Sequence, residues 1–526
     1  MLISALTNSG GSLLSRSRLA REAGFVAGCL AALITIAAAW LLHHGYILYY
    51  GDAAAHLNIS RSIIDSRTPG YDQLGSVWLP LLHVICLPFV GNDLLWSTGI
   101  AGTLPVASCF VIAGTCFYLA ARFAYKDALA ASIVVACFAL NPNVLYLASI
   151  PMTEVVFFAG LSVLLFALFR FREEQNTLLV LLGGAASCAM SLTRYDGWFL
   201  IPFAGLAFAI IGKRHRAFIF LAFALLASLG PLYWLAHNYW ETGDALDFFR
   251  GPYSAAAIQG ARPYPGFHDW KLAFLYYFKA AQLCTGWPLV LLGIAGLFCA
   301  AQRNALAPVW FLLLTPLFYV WSIHSSKTPI HVPDLPPFSY YNTRYGIALV
   351  PVMAFAAGAI VLLLPHRRRV WAAVIPVIAV SGWLLHPGPE SWICWKESQV
   401  NSVGRRAWID AGVRFLREHD RGDQGILTAS GSGDLAEIFA QAHVPLSNTL
   451  HIGNGPAWLA ATRRPDLVHT ERWAIAADGD AVSTAIKRDP HADYQLIEKV
   501  DVKDEPALEF YERRERGSEV LRQNEP

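Results

Sequence analysis

Charge is what this sequence has least of. Asp, Glu, Lys and Arg make up 15% of its 526 residues, hydrophobic types make up 55%, and mean hydropathy is +0.42. That balance excludes the soluble globular class and places the chain among polytopic membrane proteins. A strongly basic character is also missing: the net charge of +2 gives no argument for nucleic acid as a partner. There is no C-x-x-C pair, and eight of the nine cysteines lie in apolar segments, Cys394 being the exception. The cysteines therefore read as small buried hydrophobes without a disulfide framework. No nucleotide-binding fold is evident, and no convincing internal repeat. The interiors of the apolar runs are nearly free of charge, which disfavours a transporter with polar residues at the bilayer midplane.

What is present is a series of apolar runs. Candidate spans fall at 24–42, 94–120, 127–148, 152–169, 177–194, 197–211, 217–240, 284–301, 305–322, 342–363 and 370–386, about 11 in all. The first, "FVAGCLAALITIAAAWLL", follows "SRSRLAREAG" as a signal peptide would, yet no small-residue cleavage site comes after it, so it reads as a retained span. The segment 77–90, "VWLPLLHVICLPFV", is shorter, carries two prolines and reads as an interfacial helix. Basic residues set the orientation. With the N-terminus in the cytoplasm, the inner connections are "ARFAYKD", "RFREEQN", "KRHR", "AQRN" and "HRRR", each with Lys or Arg. The outer side then receives 44–93, "NPNVLYLASIPMTE", "TRYDG", long loops at 241–283 and 323–341, and the tail. The 241–283 loop, rich in aromatics, Gly and Pro, suits an ordered lid or binding loop.

Half of all charged residues, 17 basic and 22 acidic, lie from Lys396 onward. This shift divides the chain into a membrane domain, 1–392, and a soluble domain, 393–526. In the tail, "GRRAWIDAGVRFLREHD" is amphipathic, "DLAEIFAQA" is helical, and "GILTAS", "RWAIAA" and "YQLIEKV" read as strands, together a small α/β domain. "ASGSGD" (429–434) is a Gly-rich strand-to-helix turn: a phosphate cradle on one reading, an ordinary turn capped by Asp434 on the other.

Polar residues collect at the outer ends of the spans. Asp52 opens a predicted interfacial helix, 53–66, as an N-cap or as a general base at the membrane surface. His56, one helical turn on, is a second polar ligand or a headgroup-level histidine. Glu154 sits in the first turn of a span, where the helix dipole alone favours a carboxylate. Asp196 also fits an N-cap. Arg194 runs against the charge bias of that side, and Arg344 begins another span there among tyrosines, with Lys327 nearby. Each has a structural explanation by itself; their shared side and depth do not. A carboxylate takes a proton from an acceptor hydroxyl and cations stabilise a departing phosphate, which at this depth belongs to a lipid.

The external Asp after the first span, then "NPNVLYLASIPMTE", "TRYDGW" and "YYNTRYGIALVP", together resemble the GT-C glycosyltransferase superfamily over about residues 24–386. The likeness is strongest to bacterial members near the protein O-mannosyltransferase and lipid A aminoarabinose transferase branch. It implies a polyprenyl-phosphate-linked sugar as donor, a glycan, lipid or protein as acceptor, and inverting transfer at the outer face of a bacterial inner membrane. It makes Asp52 the catalytic base and Arg344 a lipid-phosphate contact; Glu154 is the other catalytic candidate, and it or His56 is what would compensate for a missing second acidic residue. His56, Arg194, Asp196 and Lys327 are the other substrate-binding candidates. Many relatives have a second acidic residue beside the first; here that place is Ala53. No cofactor is assigned, and a divalent metal is not supported. The competing readings are a flippase, transporter or polymer ligase for lipid-linked glycans, needing no Asp52, and a non-catalytic scaffold.

Overall fold

The structure is a computed structural model, and it describes residues 13–419, 425–464, 471–488, 493–503 and 505–513. The chain is a polytopic membrane protein with a small C-terminal α/β domain. Among the described residues, seven helices are long and apolar enough to cross a membrane: Ser17–His43, Ile100–Tyr125, Thr153–Glu174, Arg216–Thr242, Ala307–Ser325, Thr343–Leu363 and His366–Leu385. Apolar side chains offer the backbone no competing partner, and in hydrocarbon its polar groups are satisfied within the helix itself.

Two other apolar segments take shapes that the sequence reading does not anticipate. The 127–148 run breaks into Ala128–Ala139 and Pro142–Ala148, bent by 70°. Pro142 has no N–H to give to the preceding turn, and Asn141 caps the new helix by accepting from Asn143 N and Val144 N. The 284–301 run is the second half of a sharper break. Trp270–Thr285 and Trp287–Gln302 meet at 104° around Gly286, whose φ of +77° suits glycine. The loop assigned to 241–283 is therefore helical over its last part, where Asp269 caps by accepting from Lys271 N and Leu272 N. Thr177–Ser191 and Asp196–Ile211 are shorter apolar helices.

Two compact units divide the chain. The first comprises Met1–Tyr46, Ser76–Leu82 and Thr103–Glu397. Its central element is Thr153–Glu174, with 89% of its apolar window buried, whereas Ser17–His43 has 17% buried. Small residues allow close packing here, as expected where lipid supplies little hydrophobic drive. A Cβ on Gly296 would meet the carbonyl oxygen of Ala356 at 1.8 Å, and one on Gly346 the backbone of Ala280 at 2.4 Å.

The second unit comprises Ile47–Gly75, His83–Gly102 and Ser398–Pro526, so the segment bearing Asp52 packs with the tail. The helix there is Gly51–Ile64, two residues earlier than expected at each end. Among the described residues, the tail carries a five-stranded mixed sheet in the order β2-β1-β3-β5-β4: β1 Ile426–Thr428, β2 Thr449–Leu450, β3 Trp473–Ala477, β4 Tyr494–Val500 and β5 Leu508–Arg513. The β2, β1 and β3 strands run parallel; β5 is antiparallel to β3 and to β4. The amphipathic helix Val403–His419 lays Phe415 on the sheet, 4.0 Å between ring centroids from Phe510 and 5.5 Å from Trp473. The edge strand β4 exposes most of its length and carries Glu498 and Lys499, charges that discourage edge-to-edge pairing.

Candidate active site

Three apolar helix ends in the first unit bring charged residues into one buried network. Thr153 and Glu154 open the central helix, Arg194 lies between Thr177–Ser191 and Asp196–Ile211, and Arg344 opens Thr343–Leu363. Glu154 Oε1 accepts from Arg194 Nη1 at 2.9 Å and from Arg344 Nε at 3.2 Å, so one carboxylate oxygen joins both guanidiniums. Arg194 also donates to Thr153 Oγ1 at 2.7 Å and to the Tyr319 hydroxyl at 2.9 Å. That hydroxyl in turn donates to Asp196 Oδ2 at 2.9 Å. The ring of Tyr345 lies beneath both arginines, 5.0 Å from the Arg194 guanidinium carbon and 5.3 Å from that of Arg344.

Capping does not explain Asp196. Its helix begins at Asp196 itself, the cap position is Tyr195, and no side chain caps it. Asp52 is alike: its helix is capped at Tyr50 without a side-chain bond, leaving Asp52 in the first turn, where the helix dipole favours its charge. Asp434 is likewise not the cap of its helix, because that place belongs to Gly433.

Two members of the network escape the sequence reading. Tyr319 lies inside an apolar helix and looks like one more aromatic. Glu397 lies just past the last apolar helix, its carboxylate accepting from Thr343 Oγ1 and, at 3.3 Å, from Arg344 N, with Arg344 Nη1 3.5 Å away. Its one signal is being an early acidic residue after a long apolar stretch. A formal count gives three carboxylates to two guanidiniums, a costly surplus in a site where Glu154, Asp196 and Glu397 are each 3% exposed or less. Burial pushes the Glu397 carboxyl up against the pull of Arg344. Glu154 Oε2 and Asp196 Oδ1 are buried and accept no hydrogen bond among the described residues. Lys327 stands apart in its loop and donates to the Gly260 carbonyl at 3.3 Å.

Asp52 and His56 belong to the second unit. His56 is buried, with Nδ1 2.9 Å from Nε2 of His83. Asp52 faces a second charged group. Arg405 donates to the carbonyls of Leu48 and Tyr49 at 2.9 and 2.7 Å and pairs with Glu437, with Asp434 3.8 Å away. Burial raises the Asp434 carboxyl, and Asp52 adds to the rise while Arg405 opposes it. The Gly-rich turn is thus a neighbour of Asp52: a Cβ on Gly51 would sit 3.6 Å from Asp434 Oδ1, and Asn58 donates to Ser432 O at 3.4 Å.

Burial, reinforced by Asp434, pushes Glu437 from an ordinary 4.5 up to about 7 in spite of Arg405. Folded protein then holds this proton more tightly than unfolded protein does. The contribution is complete below pH 4.5 and is lost as pH rises toward about 7. Glu437→Gln should remove that dependence: the stability of wild type relative to the variant falls over this interval in unfolding curves taken at stepped pH. A flat difference would show that Glu437 titrates normally.

Among the described residues, no group of three or more His, Cys, Asp or Glu side chains is placed to hold a metal ion. No protein-family profile matches the sequence. No curated protein matches it either. Among solved structures, the chain is similar to the Archaeoglobus fulgidus oligosaccharyltransferase in its complex with zinc and sulfate, over 85% of this chain and 68% of that one, at 12% identity and a TM-score of 0.44.

Proposed function

We propose that this protein is an integral membrane glycosyltransferase of the GT-C kind. It moves a sugar from a polyprenyl-phosphate donor to a hydroxyl of a glycan, lipid or protein at the outer face of a bacterial inner membrane. Asp52 takes the proton of the acceptor hydroxyl as that oxygen bonds to the anomeric carbon. The bond from that carbon to the phosphate oxygen breaks, the polyprenyl phosphate leaves with the electron pair, and one displacement inverts the anomeric centre. Arg344 meets the lipid phosphate. Glu154, Arg194 and Asp196 form the polar surface that orients the sugar. Lys327 and His56 are the other substrate-binding candidates.

The observation that carries this reading is the meeting of Glu154, Arg194, Asp196 and Arg344 at the ends of apolar helices, from positions up to 190 residues apart. Ionisable groups held at membrane depth are costly and tend to mark substrate paths. Their mutual hydrogen bonds fix the guanidiniums in orientation before a ligand arrives, which lowers the entropic cost of the reaction. Membranes containing the protein, offered a panel of polyprenyl-phosphate sugars beside the matching nucleotide sugars, test the proposal. Consumption of a lipid-linked sugar supports it; use of nucleotide sugars alone defeats it.

A further inference from the structure

We propose that Cys284 and Cys394 are a disulfide pair that fastens the start of the helix Ile393–Asn401 to the end of the helix Trp270–Thr285. The two sulfurs lie 3.9 Å apart although the residues are 110 positions apart in sequence, and both side chains are fully buried. Their backbones are held by one side chain. Asn143 donates through Nδ2 to the Cys284 carbonyl at 3.1 Å and accepts the Cys394 N–H through Oδ1 at 3.0 Å. Asn141 adds a second donor to the Cys284 carbonyl at 3.0 Å. A disulfide bond is about 2.05 Å long, so the sulfurs must close by roughly 1.9 Å for the bond to form.

Both cysteines are thiols here, and Cys284 donates to the Thr343 carbonyl at 3.2 Å. Closure is a thiol–disulfide exchange. The two thiols are oxidised and joined, and the disulfide of an oxidising carrier protein or of oxidised glutathione is reduced to two thiols that take up the protons. The bond to Thr343 O is given up in the process. Since both sulfurs are sealed from solvent once the chain is folded, the exchange belongs to folding, as Ile393–Asn401 docks. The crosslink lies beside the charged network, because Thr343 donates to Glu397, three residues beyond Cys394. It holds Glu397 against Arg344. The supply of oxidant rests on the outer placement proposed above, since disulfides persist in oxidising compartments and not in the cytosol.

Membranes blocked with N-ethylmaleimide before any reductant is added, then denatured, digested and read by mass spectrometry, test this. The expected result is one linked species containing Cys284 and Cys394, lighter by two hydrogens than the separate peptides and split by reduction, with Cys394 alkylated in Cys284→Ser. A link that forms only when the protein refolds with oxidised glutathione upholds the pair and overturns the oxidising, outer placement. Two alkylated cysteines under both conditions overturn the pair itself.

Discussion

Asp52→Asn should abolish sugar transfer, lowering the rate by about 10²–10⁴-fold, the usual contribution of a general base. The substitution keeps the size of the side chain and its place in the first turn of Gly51–Ile64. It removes the basic oxygen and leaves the cap in place, because that position belongs to Tyr50. The lost dipole interaction costs about 0.3–1 kcal/mol at most, and relief of the repulsion with Asp434 offsets part of that. The purified variant should therefore unfold close to the wild-type temperature while single-turnover transfer collapses. Equal transfer rates would remove Asp52 from the chemistry and leave its charge beside Asp434 as a structural feature.

Glu154→Ala has the largest expected effect on stability. One carboxylate oxygen serves both Arg194 and Arg344, so its removal leaves two buried guanidiniums facing each other across an empty space. Breaking a buried ion pair by deleting one partner costs about 3–5 kcal/mol. Asp196 and Glu397 remain as ion-pair partners, with Arg194 Nε 3.5 Å from Asp196 and Arg344 Nη1 3.5 Å from Glu397, which holds the cost toward the lower end of that range. Glu154→Gln keeps an acceptor oxygen and should cost less. Denaturant titration in detergent separates the three proteins. If Glu154→Ala is as stable as wild type, the network is loose and its claim to preorganise a substrate fails.

The charged network was legible in the sequence in part, and the reason is electrostatic. Arg194 and Arg344 stand out because they oppose the distribution of basic residues along the chain, and Glu154 and Asp196 stand out because carboxylates are rare in apolar stretches. All four meet within hydrogen-bond or ion-pair distance of a neighbour in the group. Tyr319 carries no such signal: an aromatic in an apolar helix is expected, and only the geometry gives its hydroxyl to Asp196. Glu397 and the Cys284–Cys394 approach depend on long-range packing that no local pattern encodes.

Helix breaks were harder to read than helices. Hydropathy counts apolar side chains and is indifferent to direction, so it passes over the 70° bend at Asn141–Pro142 and the 104° bend at Gly286, although the residues responsible are visible. The strands β1, β3 and β4 were read from their β-branched or apolar character. The two-residue β2 is too short to show, and β5, "LEFYER", is recognised only by its pairing with β3 and β4. Nor could sequence order reveal that residues 47–75 pack with the tail, which makes the Gly-rich turn a neighbour of Asp52.

The central claim is that a lipid-linked sugar is handed to a hydroxyl on the outer side. Purified protein in sealed liposomes, with a polyprenyl-phosphate sugar confined to one leaflet and an acceptor on the same side, tests it most directly. The account predicts free polyprenyl phosphate and a product of inverted anomeric configuration, formed on the face that carries residue 52. A retained configuration, or donor consumed only on the opposite face, would contradict it.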